Sequence, residues 1–191
     1  MDAVDKVKEI FKESIRVKTE FLGNTEGVAV IVKAAGVISD CLKKGGKVMV
    51  FGNGGSAADS QHMAAELMVR FEKDRKALPC IALNANTSNI TAAANDYAFE
   101  KIFSRQIDAL ARPNDVVVAI STSGNSPNIL DAVRTAQEKG ITVIGLTGRS
   151  GGKLSRLSDI PVIVRENNTA RVQETHILII HALCKLVEEA I

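Results

Sequence analysis

Apolar and polar positions form alternating helix-like and strand-like blocks along most of the chain. Residues Ala3–Phe21 and Gly27–Lys44 carry apolar side chains at a helical period, and Gly45-Gly46 ends the second segment. Beyond residue 46, short continuous apolar runs alternate with helix-like segments. Such runs are typical of strands buried on both faces, and they are Val48–Phe51, Cys80–Leu83, Val116–Ile120, Ile141–Leu146 and Ile160–Val164.

The intervening segments are predicted helices, at Ser56–Arg70, Asn89–Ala94, Glu100–Leu110, Pro127–Lys139 and Thr169–Ala190. Ser56 and Ser126 are the expected N-caps, the latter followed by Pro127 at the first helical position. This alternation predicts an α/β fold, a three-layer αβα sandwich around a parallel sheet of about five strands. The two leading helices lack a strand between them, so they must pack on the flank of the sheet or against another subunit.

No repeat or linker divides the chain, so we expect a single domain over residues 1–191. Residues 1–46 would form an N-terminal helical pair, and residues 47–191 the α/β core with the C-terminal helix. The flavodoxin-like type of parallel sheet would place any ligand at the carboxyl ends of its strands.

Composition excludes several classes of function. A net charge of +2 and an aromatic content of 4% with no Trp argue against nucleic acid as a partner. The three cysteines are far apart without a CxxC motif, which argues against disulfides and cysteine zinc sites and fits a reducing cytoplasm. The N-terminus is charged, and no apolar run approaches the roughly 20 residues of a membrane span, so we expect a cytoplasmic protein without a membrane partner.

A glycine-rich segment, Gly52-Asn53-Gly54-Gly55-Ser56, follows the first predicted strand and leads straight into a helix. Glycines let the backbone approach a ligand closely, and the start of a helix offers free N–H groups. The spacing differs from GxGxxG and lacks the lysine of a P-loop, which disfavours a nucleotide site. A tight turn without a ligand explains this loop alone equally well.

A second polar loop, Ser121-Thr122-Ser123-Gly124-Asn125-Ser126, lies between a predicted buried strand and a helix start. Its four hydroxyls form a concentrated set of neutral donors. Together with a helix N-terminus they suit a phosphomonoester without an Arg or Lys clamp. Ser126 could merely cap its helix, but four hydroxyls exceed what a cap needs, so the loop favours phosphate binding.

Two groups of polar residues indicate proton or metal chemistry. His62 and Glu66 lie four residues apart, hence on one face of the helix after the glycine-rich loop. On the last helix, Gln173 and His181 are about 80° apart around the axis, and His176 lies between them. A histidine on such a helix is more often structural than catalytic. His181 lies in an apolar run where an unpaired imidazole is costly, so we expect a buried partner, either Glu66 or a metal.

These loops resemble the sugar isomerase (SIS) domain, and within it the phosphoheptose isomerase family. The resemblance covers essentially the whole chain, and the ISTSGNS loop alone marks the superfamily. The combination with HxxxE and QExHxxxxH is more specific. The segments that carry the resemblance are Phe51–Ser56, Gln61–Leu67, Asn95-Asp96, Phe103–Arg105, Ile120–Ser126, Leu146–Gly148 and Thr169–His181.

The resemblance implies a role for each matching residue. Glu66 and His181 would be the catalytic acid/base pair. The sugar phosphate would be held by Ser121, Thr122, Ser123 and Ser126, and the remaining substrate contacts would come from Asn53, Gly54, Gly55, Ser56, Arg70, Asp96 and Gln173. Some members bind zinc, here through the positions of His62, Glu66, Gln173 and His181. Members are typically homotetramers with active sites at subunit interfaces, so the leading helices would serve assembly.

The implied reaction converts sedoheptulose 7-phosphate to D-glycero-D-manno-heptose 7-phosphate, toward the nucleotide-linked heptose of lipopolysaccharide core or surface polysaccharide. A carboxylate takes the carbon-bound proton to give an enediol, and an imidazole moves the oxygen-bound proton. Zinc would polarise the carbonyl. A tightly coordinated carboxylate is a poor free base, so the two roles that the family gives Glu66 compete.

Three alternatives follow from the same residues. The family includes a non-catalytic branch that binds the replication initiator, which this chain resembles over Arg70–Asn84. That branch lacks the catalytic Glu and His, whereas Glu66 and His181 are both present here, which favours the enzyme. The other two alternatives are a non-catalytic SIS protein that binds a phosphosugar and an isomerase of another phosphosugar.

Some members of the family carry an Asp where this chain has Ala170, so no acid is assigned at this position.

Overall fold

The computed structural model describes all 191 residues, which form eight α-helices and five β-strands. In chain order they are α1 (Ala3–Gly23), α2 (Thr25–Lys43), β1 (Val48–Gly52), α3 (Gly55–Met68), β2 (Cys80–Ala82), α4 (Thr87–Asp96), α5 (Ser104–Leu110), β3 (Val116–Ser121), α6 (Pro127–Glu138), β4 (Thr142–Gly148), α7 (Gly152–Leu157), β5 (Ile160–Val164) and α8 (Thr169–Ala190). All five predicted strands are present. A short 3-10 turn, Phe99–Lys101, precedes α5 and splits the helix predicted from residue 100.

The five strands form one parallel sheet in the order β2-β1-β3-β4-β5. The chain first winds toward β2 and then crosses back past β1 to β3, so the sheet has its topological switch point between β1 and β3. In open α/β sheets, ligands bind outside the carboxyl ends of the strands at this point. The register pairs Gly52 with Ile120, so the loops that follow β1 and β3 leave the sheet side by side.

Helices cover both faces of the sheet and produce two separate hydrophobic cores. In β1, Val48 and Val50 point into the core under α2, α3 and α8, whereas Met49 and Phe51 point into the core under α5, α6 and α7. The inner strands β1, β3 and β4 therefore bury both sets of alternating side chains, which explains their continuous apolar runs, whereas Pro161 and Ile163 of the edge strand β5 are only partly buried. The predicted three-layer αβα sandwich is confirmed.

The two leading helices differ in how much of their surface the fold covers. Helix α2 packs on the sheet beside α8 and β5, whereas Val17 is the one buried residue of α1. Asn24 separates the two helices, caps α2 through its side chain, and allows a bend of 80°. No single helix has the length and apolar character to cross a membrane, and α1 with α2 passes that test only as this bent pair, on length and composition alone.

The expected capping of two helices needs correction. Gly54, with φ at +56°, occupies the N-cap position of α3, and Ser56 lies inside the helix with 2% of its surface exposed. A left-handed backbone at this corner suits glycine, which is why the cap falls two residues earlier than predicted. Ser126 does occupy the N-cap position of α6, but its side chain makes no capping hydrogen bond.

Candidate active site

The hydroxyl loop, Ser121–Ser126, joins the end of β3 to the start of α6. Its hydroxyls bond mainly to one another: Ser121 Oγ is 3.1 Å from Ser126 Oγ and 3.5 Å from Ser123 Oγ. Ser126 Oγ therefore points into the loop instead of capping α6. Thr122, Ser123 and Ser126 are partly exposed, and Gly124 has a positive φ of +65° that bends the backbone around them. The loop forms a cluster of hydroxyls at a helix N-terminus, as expected from the sequence.

The glycine-rich loop after β1 is tied to the hydroxyl loop by a pair of amides. Asn53 Nδ2 donates to Asn128 Oδ1 and Asn128 Nδ2 donates to Asn53 Oδ1, each at 2.9 Å. Asn128 is 1% exposed, on the first turn of α6. Its role as the amide partner of Asn53 was not foreseen, because residues 75 apart in sequence give no local signal. The two loops thus form one continuous wall at the switch point.

His62, Glu66 and His181 converge at one point between α3 and α8. His62 Nε2 lies 3.1 Å from Glu66 Oε1 and 3.0 Å from His181 Nε2. His181 is only partly buried, and the ring of Phe71 packs against it at 5.6 Å between centroids. The expectation of a buried partner for His181 was therefore wrong in part, because its imidazole contacts the imidazole of His62 at the protein surface. The fully buried histidine of α8 is His176 instead.

This group of three side chains, His62, Glu66 and His181, has the donor set of a metal site. One ligand atom from each lies within 4.8 Å of the others. Two imidazole nitrogens and a carboxylate oxygen are electron-pair donors, and few protons are available to hold all three together by hydrogen bonds. Zinc takes N and O ligands at about 2.0 to 2.2 Å, which puts tetrahedral neighbours about 3.3 to 3.5 Å apart, close to the observed contacts. The residues present therefore fit a divalent cation.

Helices α3 and α8 run side by side in the same direction, which brings their polar faces into register. Gly55 begins α3 against Gln173, whose amide would lie 2.4 Å from a Cβ at Gly55, so a larger residue there would displace that amide. Seven residues further along α3, His62 meets His181. Gln173 precedes His181 by about 12 Å along the axis of α8, so it lies beside the glycine-rich loop and not among the three converging side chains.

Asp59 lies on the same face of α3, one turn before His62, and no role was foreseen for it. Its Oδ2 is buried without a hydrogen-bond partner. Burial raises the pKa of this carboxyl to about 6, and the nearby His62 opposes the shift. The spacing Asp59, His62, Glu66 at i, i+3 and i+7 is a helical face, so the sequence did contain the signal that places all three together.

The C-terminal turn of α3, which carries Glu66, is held by a buried ion pair. Arg75 donates to the backbone carbonyls of Glu66 and Leu67, and its Nε bonds to Glu188 on α8 at 3.0 Å. Glu188 also accepts three backbone N–H groups from residues 71–73. Burial alone would raise the pKa of Glu188, but these donors and Arg75 outweigh it and hold the pKa below its ordinary value.

The predicted substrate contacts Arg70 and Asp96 lie in different parts of the structure. Arg70 is exposed just beyond α3. Asp96 ends α4 in the opposite helical layer, where it lines a cavity of about 730 Å³ with Lys101, Ser104 and Arg105. The Arg105 guanidinium stacks 3.9 Å above the centre of the Tyr97 ring. One copy of the chain therefore does not bring Asp96 to His62, Glu66 and His181.

The sequence matches the model of the SIS domain over residues 11–148. A phosphoheptose isomerase from Aquifex aeolicus is 50% identical over 188 residues, which cover 98% of this chain and 97% of the relative. The chain belongs to the phosphoheptose isomerase family of SIS domain proteins. This membership confirms both the resemblance and the expectation of an enzyme.

Solved phosphoheptose isomerases share the whole fold. GmhA from Neisseria gonorrhoeae superposes with a TM-score of 0.93 at 44% identity, over 98% of this chain and 100% of the other. A phosphoheptose isomerase from Francisella tularensis gives 0.94 at 41% identity, over 99% and 100%. The leading helices and α8 are thus part of the fold that phosphoheptose isomerases share, and not additions in this chain.

Proposed function

We propose that this protein interconverts sedoheptulose 7-phosphate and D-glycero-D-manno-heptose 7-phosphate, a step toward nucleotide-linked heptose for lipopolysaccharide core or surface polysaccharide. One observation supports this most strongly. In a chain of the phosphoheptose isomerase family, the Glu66 carboxylate and the His181 imidazole lie within 4.8 Å of one another, where the polar faces of α3 and α8 meet. A carboxylate and an imidazole at that separation can transfer protons at two neighbouring positions of one small substrate.

The hydroxyl loop binds the phosphate group of the sugar. Ser121, Thr122, Ser123 and Ser126 supply the hydroxyl donors, and the N-terminus of α6 adds its dipole. The glycine-rich loop lies alongside the hydroxyl loop. The carbon chain of the sugar therefore runs past Asn53 and Gly54–Ser56 toward the three converging side chains. Gln173, beside Gly55, is placed to contact the sugar between the phosphate and the reacting carbons.

Isomerisation needs one proton to move between C1 and C2 and another between O1 and O2. Glu66 takes the proton from C1 of the ketose, which leaves an enediolate, and returns it to C2. His181 accepts the proton from O1 and delivers it to O2, so that C1 becomes the aldehyde. No atoms are gained or lost, and each group ends in its starting protonation state.

We further propose zinc as the cation that His62, Glu66 and His181 hold, with Gln173 as the fourth ligand. When bound, zinc polarises the carbonyl of the substrate and stabilises negative charge on the enediolate oxygens. In the present arrangement Gln173 lies against Gly55, so its amide would have to swing along α8 toward His181. His62 would then act only through the metal, whereas in Glu66 and His181 the role of ligand competes with the role of proton carrier.

Exposed apolar residues support a homotetramer with shared sites. Helix α1 exposes Val4, Val7, Ile10, Phe11 and Ile15, each between 48% and 65%, along one helical stripe. We propose that this stripe packs against other copies and that, in the assembly, Asp96 of a neighbouring copy reaches the site between α3 and α8. The three cysteines are free and buried, which fits a reducing compartment, and we propose a cytoplasmic location.

The proposal is tested by mixing the purified protein with sedoheptulose 7-phosphate and following the sugar signals by NMR, with and without added zinc. Appearance of the aldose heptose 7-phosphate supports it. Fructose 6-phosphate and unphosphorylated sedoheptulose serve as comparison substrates. Binding of the ketose phosphate without any aldose product, under both metal conditions, would leave a non-catalytic phosphosugar-binding protein and remove the proposed activity.

A further inference from the structure

His176 on α8 is fully buried, yet it takes no part in the proposed chemistry. Its Nε2 lies 3.0 Å from the backbone carbonyl oxygen of Thr147, at the end of β4. A carbonyl oxygen only accepts, so Nε2 carries the proton and Nδ1 is the unprotonated nitrogen. Nδ1 is buried without a partner. Burial lowers the pKa of this imidazole to about 4, so the ring is neutral at neutral pH, and its one polar contact is the bond to Thr147.

Thr147 lies directly beside the start of the hydroxyl loop. In the sheet it pairs with Ser121, and the next residue, Gly148, donates its N–H to the carbonyl of Thr122 at 3.1 Å. A Cβ at Gly148 would lie 2.6 Å from that carbonyl oxygen and 2.9 Å from Val172 of α8. The end of β4 is therefore wedged between α8 on one side and the hydroxyl loop on the other.

The same strand end continues into a turn that supports the tip of the hydroxyl loop. A Cβ at Gly124 would lie 2.1 Å from the carbonyl oxygen of Gly151, so the two backbones are in close contact. Leu154 donates its N–H to the carbonyl of Gly124 at 2.9 Å. Residues 147–154 thus form the back wall of the hydroxyl loop, and a displacement of Thr147 would be passed to the backbone that carries Thr122, Ser123 and Gly124.

We propose that His176 is a positioning residue for phosphate binding: its Nε2–H bond to Thr147 fixes the back wall and thereby the hydroxyl loop. This inference rests on the proposed function, because it takes the hydroxyl loop as the phosphate site. The bond originates on α8, which also carries Gln173 and His181. One helix therefore sets the position of both the hydroxyl loop and the His181 imidazole.

Two variants separate positioning from simple packing. His176→Leu supplies an apolar side chain that ends before the position of Nε2, so it removes the donor, and it also removes the unpaired Nδ1. His176→Gln places an amide N–H near the position of Nε2 and restores the donor. A residue that only fills space would give variants that differ in thermal stability while binding phosphate equally well. A positioning residue would change phosphate binding in the leucine variant and recover it in the glutamine variant.

The experiment measures KM and kcat for sedoheptulose 7-phosphate and the inhibition constant of inorganic phosphate for the wild type and both variants. For His176→Leu we expect KM and the phosphate inhibition constant to rise together by about fivefold to tenfold, as for one or two loosened hydrogen bonds, with kcat within about twofold. His176→Gln should stay close to the wild type. Wild-type constants in His176→Leu, or equal losses in both variants, would overturn the inference.

Two further experiments test the inference if the first variant does not fold or the wild type shows no turnover. If His176→Leu does not fold, His176→Asn takes its place, because its shorter amide reaches only the Nδ1 position and leaves Thr147 without a donor. If the wild type does not isomerise the sugar, the proposed function fails while the inference is still tested by direct binding. Titration of inorganic phosphate by calorimetry should then give weaker binding in the variant without the donor, and equal binding would overturn the inference.

Discussion

The two histidines of α8 show how surroundings decide what the same side chain can do. His176 is buried and neutral with one carbonyl partner, whereas His181 is partly exposed and faces His62 at 3.0 Å. Only His181 lies where a substrate and a proton could reach it. The sequence places both on one helix but does not distinguish them, because burial of each depends on which elements pack against α8.

The local spacing of His62 and Glu66 was sufficient to predict that they meet, whereas their contact with His181 was not predictable from spacing. The first pair lies on one turn of one helix, which any helical segment would bring together. The second contact joins residues 119 apart and requires α3 and α8 to lie parallel. The family resemblance therefore supplied what local physics could not.

A metal held by His62, Glu66 and His181 should be lost when one imidazole is removed. We predict that His62→Ala, purified after incubation with zinc, retains at most a small fraction of the metal bound by the wild type, measured by elemental analysis. Gln61→Ala, a substitution at the exposed neighbouring position, is the matched control and should keep its metal. Equal zinc content in His62→Ala and the wild type would show that the metal binds elsewhere.

Ser123 is predicted to contribute to phosphate binding and not to folding. Its hydroxyl accepts a bond from the N–H of Asn125 at 3.2 Å and is partly exposed, so its loss should change stability little. We expect Ser123→Ala to raise KM by about threefold to tenfold, the value of one hydrogen bond, with kcat and Tm near those of the wild type. Ser88→Ala, at an exposed position of α4, is the control. An unchanged KM in Ser123→Ala would remove this residue from the site.

At the scale of elements, the five strands were predictable, whereas some helix boundaries and one short helix were not. A parallel strand covered on both faces has to be apolar throughout, which leaves a clear run of residues such as Val116–Ile120. Helix α7 was missed because it has only six residues and begins at Gly152, which has a positive φ like Gly151 before it. The start of α3 was misplaced because a glycine corner, not a serine cap, begins it.

The buried pair of Arg75 and Glu188 joins α3 to α8, and its loss should affect both stability and activity. We predict that Glu188→Gln lowers the free energy of unfolding by about 3 kcal/mol, because it leaves the Arg75 guanidinium buried without its counter-charge. Glu189→Gln is the matched control, since Glu189 is the exposed neighbour on the same helix. Chemical denaturation measures both, and equal midpoints for the two variants would contradict this account.

At the scale of the whole molecule, we propose that a second copy of the chain completes the site. Asp96 lies in the helical layer opposite α3 and α8, and α1 has an apolar stripe without a partner within the chain. The sequence predicted that the leading helices pack on the sheet or against another subunit. In the structure α2 packs on the sheet, whereas the stripe of α1 stays exposed within one copy and is the surface that we propose for assembly.

The apolar stripe of α1 should hold the assembly together. We predict that the double substitution Phe11→Ser and Ile15→Ser shifts the molar mass in light scattering from that of a tetramer toward smaller species. Lys12→Ser, on the polar side of the same helix, should leave the mass unchanged. A wild type that is monomeric at micromolar concentration would contradict the proposed assembly, as would a double variant that remains tetrameric.

The central claim is that Glu66 moves the carbon-bound proton of a seven-carbon ketose phosphate. The most direct test is the initial rate of aldose formation from sedoheptulose 7-phosphate, measured by NMR for the wild type and Glu66→Gln under the same zinc concentration. The account predicts turnover by the wild type and a loss of about 100-fold or more in the variant, the scale of a missing general base. A variant that turns over at a rate near that of the wild type would contradict it.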